Sequence, residues 1–217
     1  MRDALEEVWV RTLYVVTHPE ATHHVDGLVG GWFDSDLTGQ GLAHAGQIAD
    51  ALAGRLPSHG VVEVFSSDLL RARRTAEVVA DRLAVRVVFD AALREKSFGE
   101  AGGRPKAWLE ERFVPPPASG ERLRHDEGVP GAETRWELAV RAYAALDRIL
   151  QSKAEHQVVV THGGTATFLL AAWIGMPIGA AGLVGFQFSS GGITLLREDD
   201  RVHSRRVVQL NDVGHLT

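Results

Sequence analysis

Short apolar runs alternate with segments of helical periodicity along most of the chain. Four runs rich in valine and aromatic residues have the composition of buried strands: residues 13–16, 61–65, 85–89 and 158–160. Helical spacing of apolar residues and capping residues predict four helices: residues 38–55, a helix capped within 66–68 that ends at about 83, residues 134–151 and, beginning at 164 or 165, a helix up to 174. This alternation predicts an α/β fold of three layers, a mainly parallel twisted sheet with helices on both faces.

The last third of the chain and one central segment complete the prediction. Further strands are expected at residues 183–189, 193–197 and 202–210. Residues 99–131 break the periodicity with a run of three prolines, several glycines and clustered charge, and have room for a short helix at 108–113. Because no long linker divides the chain, we predict one domain, 1–217, with an insertion or lid-like excursion at about 99–131.

Composition narrows the class of function. The net charge of -5 argues against a dedicated nucleic-acid binder, which is usually basic. The chain has no cysteine, which excludes disulfides, thiolate catalysis and cysteine-based metal sites. No window approaches the roughly 20 apolar residues that span a bilayer, and the acidic N-terminus does not resemble a signal peptide. We therefore expect a soluble, cytoplasmic protein with a small-molecule ligand and neither nucleic acid nor membrane as partner. Its oligomeric state is open, with a homodimer as one option.

The sequence VVTH ends two of the predicted strands, at residues 15–18 and 159–162. Ligands of open α/β sheets bind outside the carboxyl ends of the strands. If the two strands are neighbours, His18 and His162 face each other across one pocket. A single strand-end histidine is more often only a polar residue, but two in matching contexts favour a functional site.

Two further strand ends supply an arginine and a carboxylate. Arg71 falls in the first turn of the helix after the strand at 61–65, where its guanidinium and the helix N-terminus can meet one anion. Glu95 follows the strand at 85–89 and, beside two histidines, suits general acid catalysis. Arg73 and Arg74 point elsewhere on the helix and are expected to be solvated.

Short motifs surround these four candidate residues. They are SDLLRARRTA at 67–76, LREKSFG at 93–99 and THGG at 161–164, and between them GWFDSDLT at 31–38, PGAET at 130–134 and LNDVGHL at 210–216. In this order they resemble the motifs of the histidine phosphatase superfamily, the phosphoglycerate mutase-like enzymes. The resemblance covers nearly the whole chain and implies the α/β fold of that family.

The first signature departs from the family pattern. The family has Arg-His-Gly-Glu-Thr-x-x-Asn where residues 17–24 read THPEATHH. His18 keeps the nucleophile position and Glu20 is retained, but Thr17 replaces the arginine that clamps the phosphoryl group and His24 replaces the asparagine. A threonine hydroxyl donates one neutral hydrogen bond, whereas a guanidinium donates two charged ones. Losing such a contact costs on the order of 2–4 kcal/mol of transition-state stabilisation.

The resemblance implies a two-step phosphoryl transfer that needs no metal or organic cofactor. Neutral His18 would attack phosphorus, Glu95 would protonate the leaving alkoxide, and Arg71 and His162 would hold the equatorial oxygens. The remaining predicted substrate-binding residues are Thr17, Glu20, His24 and Gly163. We therefore expect a phosphatase that acts on a phosphate monoester. The alternatives are a phosphoglycerate-type mutase and a weakly active or non-catalytic relative that binds phospho-ligands.

Two other hypotheses concern the histidines and the missing charge. His18, His23, His24 and His162, with Asp26 or Asp34, could form a metal hydrolase site, although no HExxH-like spacing is present. The lost clamp could be replaced by Arg122 or Arg124 of the excursion or by the His23–His24 pair. The simpler interpretation is that the charges of the excursion form a solvated loop surface.

Overall fold

The computed structural model describes residues 9–57 and 60–216, and its centre is a mixed sheet of six strands. The strands are β1 (Trp9–Thr17), β2 (Val62–Ser66), β3 (Val87–Phe89), β4 (His156–Thr161), β5 (Ile193–Asp199) and β6 (Arg205–Asp212), in the order β3-β2-β4-β1-β5-β6. The first four are parallel, and β5 and β6 are antiparallel to their neighbours. The predicted fold class is confirmed, with the antiparallel pair confined to one side of the sheet.

Within the described residues, six helices accompany the sheet. They are α1 (Thr22–Val25), α2 (Gly39–Arg55), α3 (Leu70–Leu83), α4 (Lys106–Glu110), α5 (Arg135–Leu150) and α6 (Gly163–Trp173), with 3-10 turns at Ala91–Leu93, Gly99–Ala101 and Ile178–Leu183. Thr38 and Thr134 cap α2 and α5 with their hydroxyls. Of the described helices, none is long and apolar enough to cross a membrane.

Alternate residues of β1 point to opposite faces of the sheet, so each face has its own core. Leu13 and Val15 pack with residues of α5 and α6, whereas Tyr14 and Val16 pack with residues of α2 and α3. Full burial of each such side chain stabilises the fold by roughly 1.5–3 kcal/mol. The strong apolar signal of the central strands follows from this burial on both faces.

One expectation for an individual segment was wrong. Residues 183–189 form no strand, and the carbonyls of Gly182 and Val184 accept hydrogen bonds from arginine side chains instead of from a neighbouring strand. Helix α3 begins at Leu70, so Arg71 lies in its first turn as predicted, and the Asp34 carboxylate accepts the hydrogen bond of the Leu70 N–H.

The excursion contains α4, two residues earlier than predicted, and is tied to the segment after α1 by backbone hydrogen bonds. Val29 N donates to Arg104 O at 2.8 Å, and Lys106 N donates to Gly27 O at 2.9 Å. Val29 also packs with Ala101 and with Trp108 in a small apolar cluster. These contacts hold the first residue of α4 beside the carboxyl ends of the parallel strands.

Candidate active site

His18 and His162 are brought together by the pairing of β1 with β4. Thr17 and Thr161 are direct partners in the parallel ladder, and His18 N donates to Thr161 O at 3.1 Å. Both imidazoles are buried, with ring centroids 5.0 Å apart and edge-on to one another. The repeated VVTH sequence thus delivers both rings to one place.

Hydrogen bonds orient the ring of His18. Its Nδ1 lies 2.7 Å from the carbonyl oxygen of Pro19, which can only accept, so the proton is on Nδ1. The lone pair of Nε2 accepts a hydrogen bond from Arg71 Nε at 3.1 Å. Burial, followed by the charge of Arg71, holds the pKa of His18 well below its ordinary value. The ring is therefore neutral, with the proton on Nδ1 and the lone pair on Nε2.

Arg71 is buried and held by the GWFDSDLT segment. Its two terminal nitrogens donate to Phe33 O at 2.9 Å and to Gly31 O at 2.6 Å. Gly31 has φ +59, and a Cβ there would lie 2.7 Å from Lys96 O, so glycine is required at this close approach. Burial lowers the pKa of Arg71 to about 10, which leaves the guanidinium charged at neutral pH.

The carboxylate of Glu95 is held by two backbone N–H groups. Its Oε1 accepts from Lys96 N at 2.8 Å and its Oε2 from Gly164 N at 3.0 Å, in the first turn of α6. A Cβ on Gly164 would lie 2.3 Å from Oε1, so the glycine makes room for the carboxylate. Arg141 of α5 holds the turn that leads to Glu95 by donating hydrogen bonds to the carbonyls of Ala92 and Glu95.

His23 and His24 flank the nucleophile position. The ring of His24 stacks on His18 with a centroid distance of 5.6 Å, and its Nδ1 accepts from Ala21 N. His23 Nδ1 is hydrogen-bonded to Ser35 Oγ at 2.6 Å. Burial lowers the pKa of His23 to about 3 and also lowers that of His24, so both rings are neutral at pH 7. Neither supplies a positive charge there.

A cavity of about 490 Å³ opens over these groups. Its walls include Thr17, His18, His23, His24, Arg71, Glu95, Lys106 and Gly163. Among the described residues, Arg71 and Lys106 are the two permanently cationic side chains in these walls. Lys106 Nζ makes no ion pair or hydrogen bond within the described chain.

Several predicted site residues lie elsewhere or serve local structure. Thr17 Oγ1 donates to Ser189 O at 2.6 Å. Glu20 is not in the cavity wall, and its Oε1 accepts from Thr38 Oγ1 at 2.7 Å. His162 Nε2 is hydrogen-bonded to Ser67 Oγ at 2.9 Å behind the wall.

Neither arginine proposed to replace the clamp reaches the cavity. Arg122 Nε donates to Gly182 O, and Arg124 pairs with Glu121 and lies over the ring of Trp136. Arg73 and Arg74 are exposed, as expected, and pair with Glu77 and Asp36.

The arrangement places a neutral imidazole, a carboxylate and two cations around one space. Residues 13–213 match the sequence model of the histidine phosphatase superfamily, branch 1. The chain belongs to this superfamily. The resemblance of its motifs is thereby confirmed.

Relatives within the histidine phosphatase superfamily include both mutase-named and phosphatase-named proteins. A protein of Salmonella paratyphi B with the name "Probable phosphoglycerate mutase GpmB" is 30% identical over 211 residues, 94% of each chain. A solved structure named mycobacterial hydrolase 1 is 25% identical, with a TM-score of 0.75 over 93% of this chain and 98% of its own. Mycobacterial glucosyl-3-phosphoglycerate phosphatase, solved with VO3, is also 25% identical, with a TM-score of 0.74 and the same coverage.

Three residues in or around the site of this chain were not predicted from its sequence: Lys106, Arg141 and Asn211. Arg141 gave no signal beyond helical periodicity, because its contacts join α5 to residues 92–95. Asn211, in the LNDVGHL tail, accepts from Ser189 N at 2.8 Å and so holds one wall of the cavity. In the sequence, nothing distinguished Lys106 from the other charged residues of the excursion. For Asn211, the LNDVGHL motif was the sequence feature that could have indicated a role.

Proposed function

We propose that this protein is a phosphatase that hydrolyses a phosphate monoester through a phosphohistidine on His18. One observation carries the proposal: His18 Nε2, with Nδ1 held by Pro19 O, lies 3.1 Å from Arg71 Nε in a cavity whose wall also contains the Glu95 carboxylate. A neutral imidazole of fixed tautomer beside a guanidinium has the arrangement that in-line attack on a phosphoryl group needs.

In the first step, the lone pair of His18 Nε2 forms a bond to phosphorus while the bond from phosphorus to the ester oxygen breaks. Glu95 in its protonated form gives its proton to the departing alkoxide. In the second step, the Glu95 carboxylate takes a proton from water as the water oxygen attacks phosphorus. The P–N bond breaks, and inorganic phosphate and neutral His18 are released.

The cations of the cavity stabilise the charge on the transferring group. Arg71 holds the phosphoryl oxygens after exchanging its contact with His18 for one with the ligand. Lys106 supplies the second charge, in place of the arginine that Thr17 replaces. The support is its position in the wall, its lack of a partner among the described residues and the lowered pKa values of His23 and His24. Gly163, in the first turn of α6, contributes to the same wall.

A phosphoglycerate-type mutase is the second candidate, favoured by the printed name of the Salmonella relatives. A mutase must retain a doubly anionic intermediate until the phosphoryl group returns to a second hydroxyl. With Thr17 in place of an arginine, hydrolysis is the better supported outcome.

Phosphate release over a panel of phosphate monoesters tests the proposal, with the His18→Ala variant as control. We expect release by the wild type and none above background by the variant. Interconversion of phosphoglycerates that exceeds phosphate release would favour the mutase. A wild-type protein inert with every ester would support a non-catalytic phospho-ligand-binding relative.

A further inference from the structure

A second cavity, of about 420 Å³, adjoins the first and has no role in the proposed phosphoryl transfer. Glu95 and Phe98 belong to the walls of both cavities. The other walls come from α5, α6, the excursion and the loop at 184–185. Its volume lies within the range of small-molecule sites in proteins.

Apolar and aromatic side chains form most of this second cavity. The rings of Phe98, Phe113 and Phe168 line it, together with Leu138 and Val184. Flat apolar groups pack well against such rings, because offset and edge-to-face contacts add to the area buried. The first cavity also contains apolar side chains, among them Leu109 and Phe188, but adds three imidazoles and two cations around the position of His18.

One cation in the second cavity forms no ion pair within the described chain. Lys96, also in the wall, pairs with Glu127 at 2.5 Å. Arg135 donates to Val184 O at 2.8 Å and stacks over Phe168, and its buried Nε has no hydrogen-bond partner. Burial lowers the pKa of Arg135, and the charge of Glu127 offsets this effect only in part, so an anion that pairs directly with the guanidinium would be stabilised there.

We propose that the second cavity binds the alcohol portion of the phosphate ester, and that this alcohol is aromatic and carries a carboxylate. The inference rests on the proposed function. With the phosphoryl group at His18 and the alcohol in the second cavity, the ester oxygen lies at Glu95, where the leaving alkoxide takes up its proton. The three phenylalanines hold the ring, and Arg135 pairs with the carboxylate.

The test compares 4-carboxyphenyl phosphate with phenyl phosphate. Val184→Trp fills the second cavity, and Leu183→Trp is the matched control, because Leu183 is adjacent, 76% exposed and outside the wall. We expect Val184→Trp to lower kcat/KM for 4-carboxyphenyl phosphate at least tenfold while the Kd for inorganic phosphate changes less than twofold. Leu183→Trp should change neither quantity. Arg135→Met should reduce the preference for the carboxylated ester at least tenfold.

Equal activity of Val184→Trp and Leu183→Trp, or an unchanged preference in Arg135→Met, would overturn the inference. Weakened binding of inorganic phosphate in Val184→Trp would indicate a disturbed fold in place of a filled cavity, and would also count against it. If the wild type hydrolyses no ester, the phosphatase function fails by itself. The cavity is then tested with 4-hydroxybenzoate, the product alcohol, by calorimetry. Binding that Val184→Trp weakens tenfold supports the cavity, and no binding by the wild type refutes it.

Discussion

The two strand ends that read Thr-His share a backbone but differ in the residue after the histidine. Thr17 and Thr161 are partners in the sheet, and each hydroxyl donates to a loop carbonyl, that of Ser189 or of Leu93. In this structure Thr17 therefore performs the same structural task as Thr161. The comparison shows that β1, like β4, holds a neighbouring loop through a hydrogen bond from its last threonine. In β1 this threonine stands at the position where the family has an arginine.

The backbone that follows each histidine gives the two imidazole rings different hydrogen bonds. Pro19 has no N–H, and its carbonyl accepts from His18 Nδ1, which leaves Nε2 toward Arg71. His162 instead occupies the N-cap position of α6 without a side-chain capping bond, and its Nε2 is hydrogen-bonded to Ser67. The Gly164 N–H in the first turn of that helix binds Glu95. One dipeptide thus provides the proposed nucleophile at β1 and a fixed ring beside it at β4.

The largest expected effect is the difference in kcat between the alanine variants of His18 and His162. His18→Ala removes the nucleophile and should lower kcat by roughly 10⁴-fold or more. His162→Ala removes the ring that packs edge-on against His18, and the resulting misplacement of His18 should lower kcat about 10²-fold. Steady-state phosphate release measures both, and circular dichroism checks that each variant is folded.

Acid-quenched reactions provide the control for this separation. The wild type and His162→Ala should accumulate an acid-labile phosphoenzyme, whereas His18→Ala should not. A phosphoenzyme in His18→Ala would exclude the phosphohistidine mechanism on this residue.

His18 and His162 should make the same contribution to the pH dependence of the free energy of unfolding. Burial holds both pKa values well below the ordinary 6.5, so on acidification the unfolded chain takes up protons that the folded chain does not. The free energy of unfolding therefore falls as pH drops below 6.5. Between pH 6.5 and 5.5 each ring should contribute a loss of ~1 kcal/mol.

Urea unfolding at the two pH values measures this contribution. His18→Gln and His162→Gln should each make the loss of unfolding free energy between pH 6.5 and 5.5 smaller by ~1 kcal/mol, because glutamine does not titrate. A variant with the full wild-type slope would show that its histidine is protonated in the folded protein. The same acidification should produce no rise in activity, because burial lowers the pKa of His23 to about 3 and shifts that of His24 in the same direction. Such a rise would restore the histidine clamp hypothesis.

A smaller effect concerns the charge that β1 lacks. Lys106→Met should lower kcat/KM about tenfold, or about 1.4 kcal/mol, through loss of a cation beside the phosphoryl group. Thr17→Arg should change the wild type less than threefold but raise kcat/KM at least tenfold in the Lys106→Met background. Kinetics with one phosphate monoester over the four proteins provide the measurement.

Arg104→Met is the matched control, because Arg104 lies two residues away in the excursion and outside the cavity wall. It should retain wild-type kinetics. A tenfold gain from Thr17→Arg alone would mean that the site is weakened and has no substitute cation, and would remove the proposed role of Lys106.

Short-range pattern predicted the sheet and its helices because the central strands are buried on both faces. The repeated VVTH also predicted the meeting of His18 with His162. A segment that depends on distant partners was mispredicted. Residues 183–189 form no strand, and the carbonyls of Gly182 and Val184 accept hydrogen bonds from Arg122 of the excursion and Arg135 of α5.

The charges of the site were the least predictable part. Lys106 reaches the cavity because the excursion pairs with residues 27–29, a contact without a local sequence signal. The neutrality of His23 follows from burial and from its neighbours, which composition does not reveal. The roles of the candidate residues stay predictions that the proposed variants address.

The smallest expected effect is that of a chelator, and it bears on all the histidines together. A metal needs free ring nitrogens that converge on one point, but His18 uses Nδ1 for Pro19 O and Nε2 for Arg71, and His23 uses Nδ1 for Ser35. Within residues 9–57 and 60–216, no three His, Cys, Asp or Glu side chains form a group that could hold a metal ion. Phosphate release should therefore change less than twofold after incubation with EDTA and removal of the chelate by gel filtration. Loss of activity that zinc or manganese restores would replace the nucleophilic role of His18 with metal ligation, and both strand ends would then serve one ion.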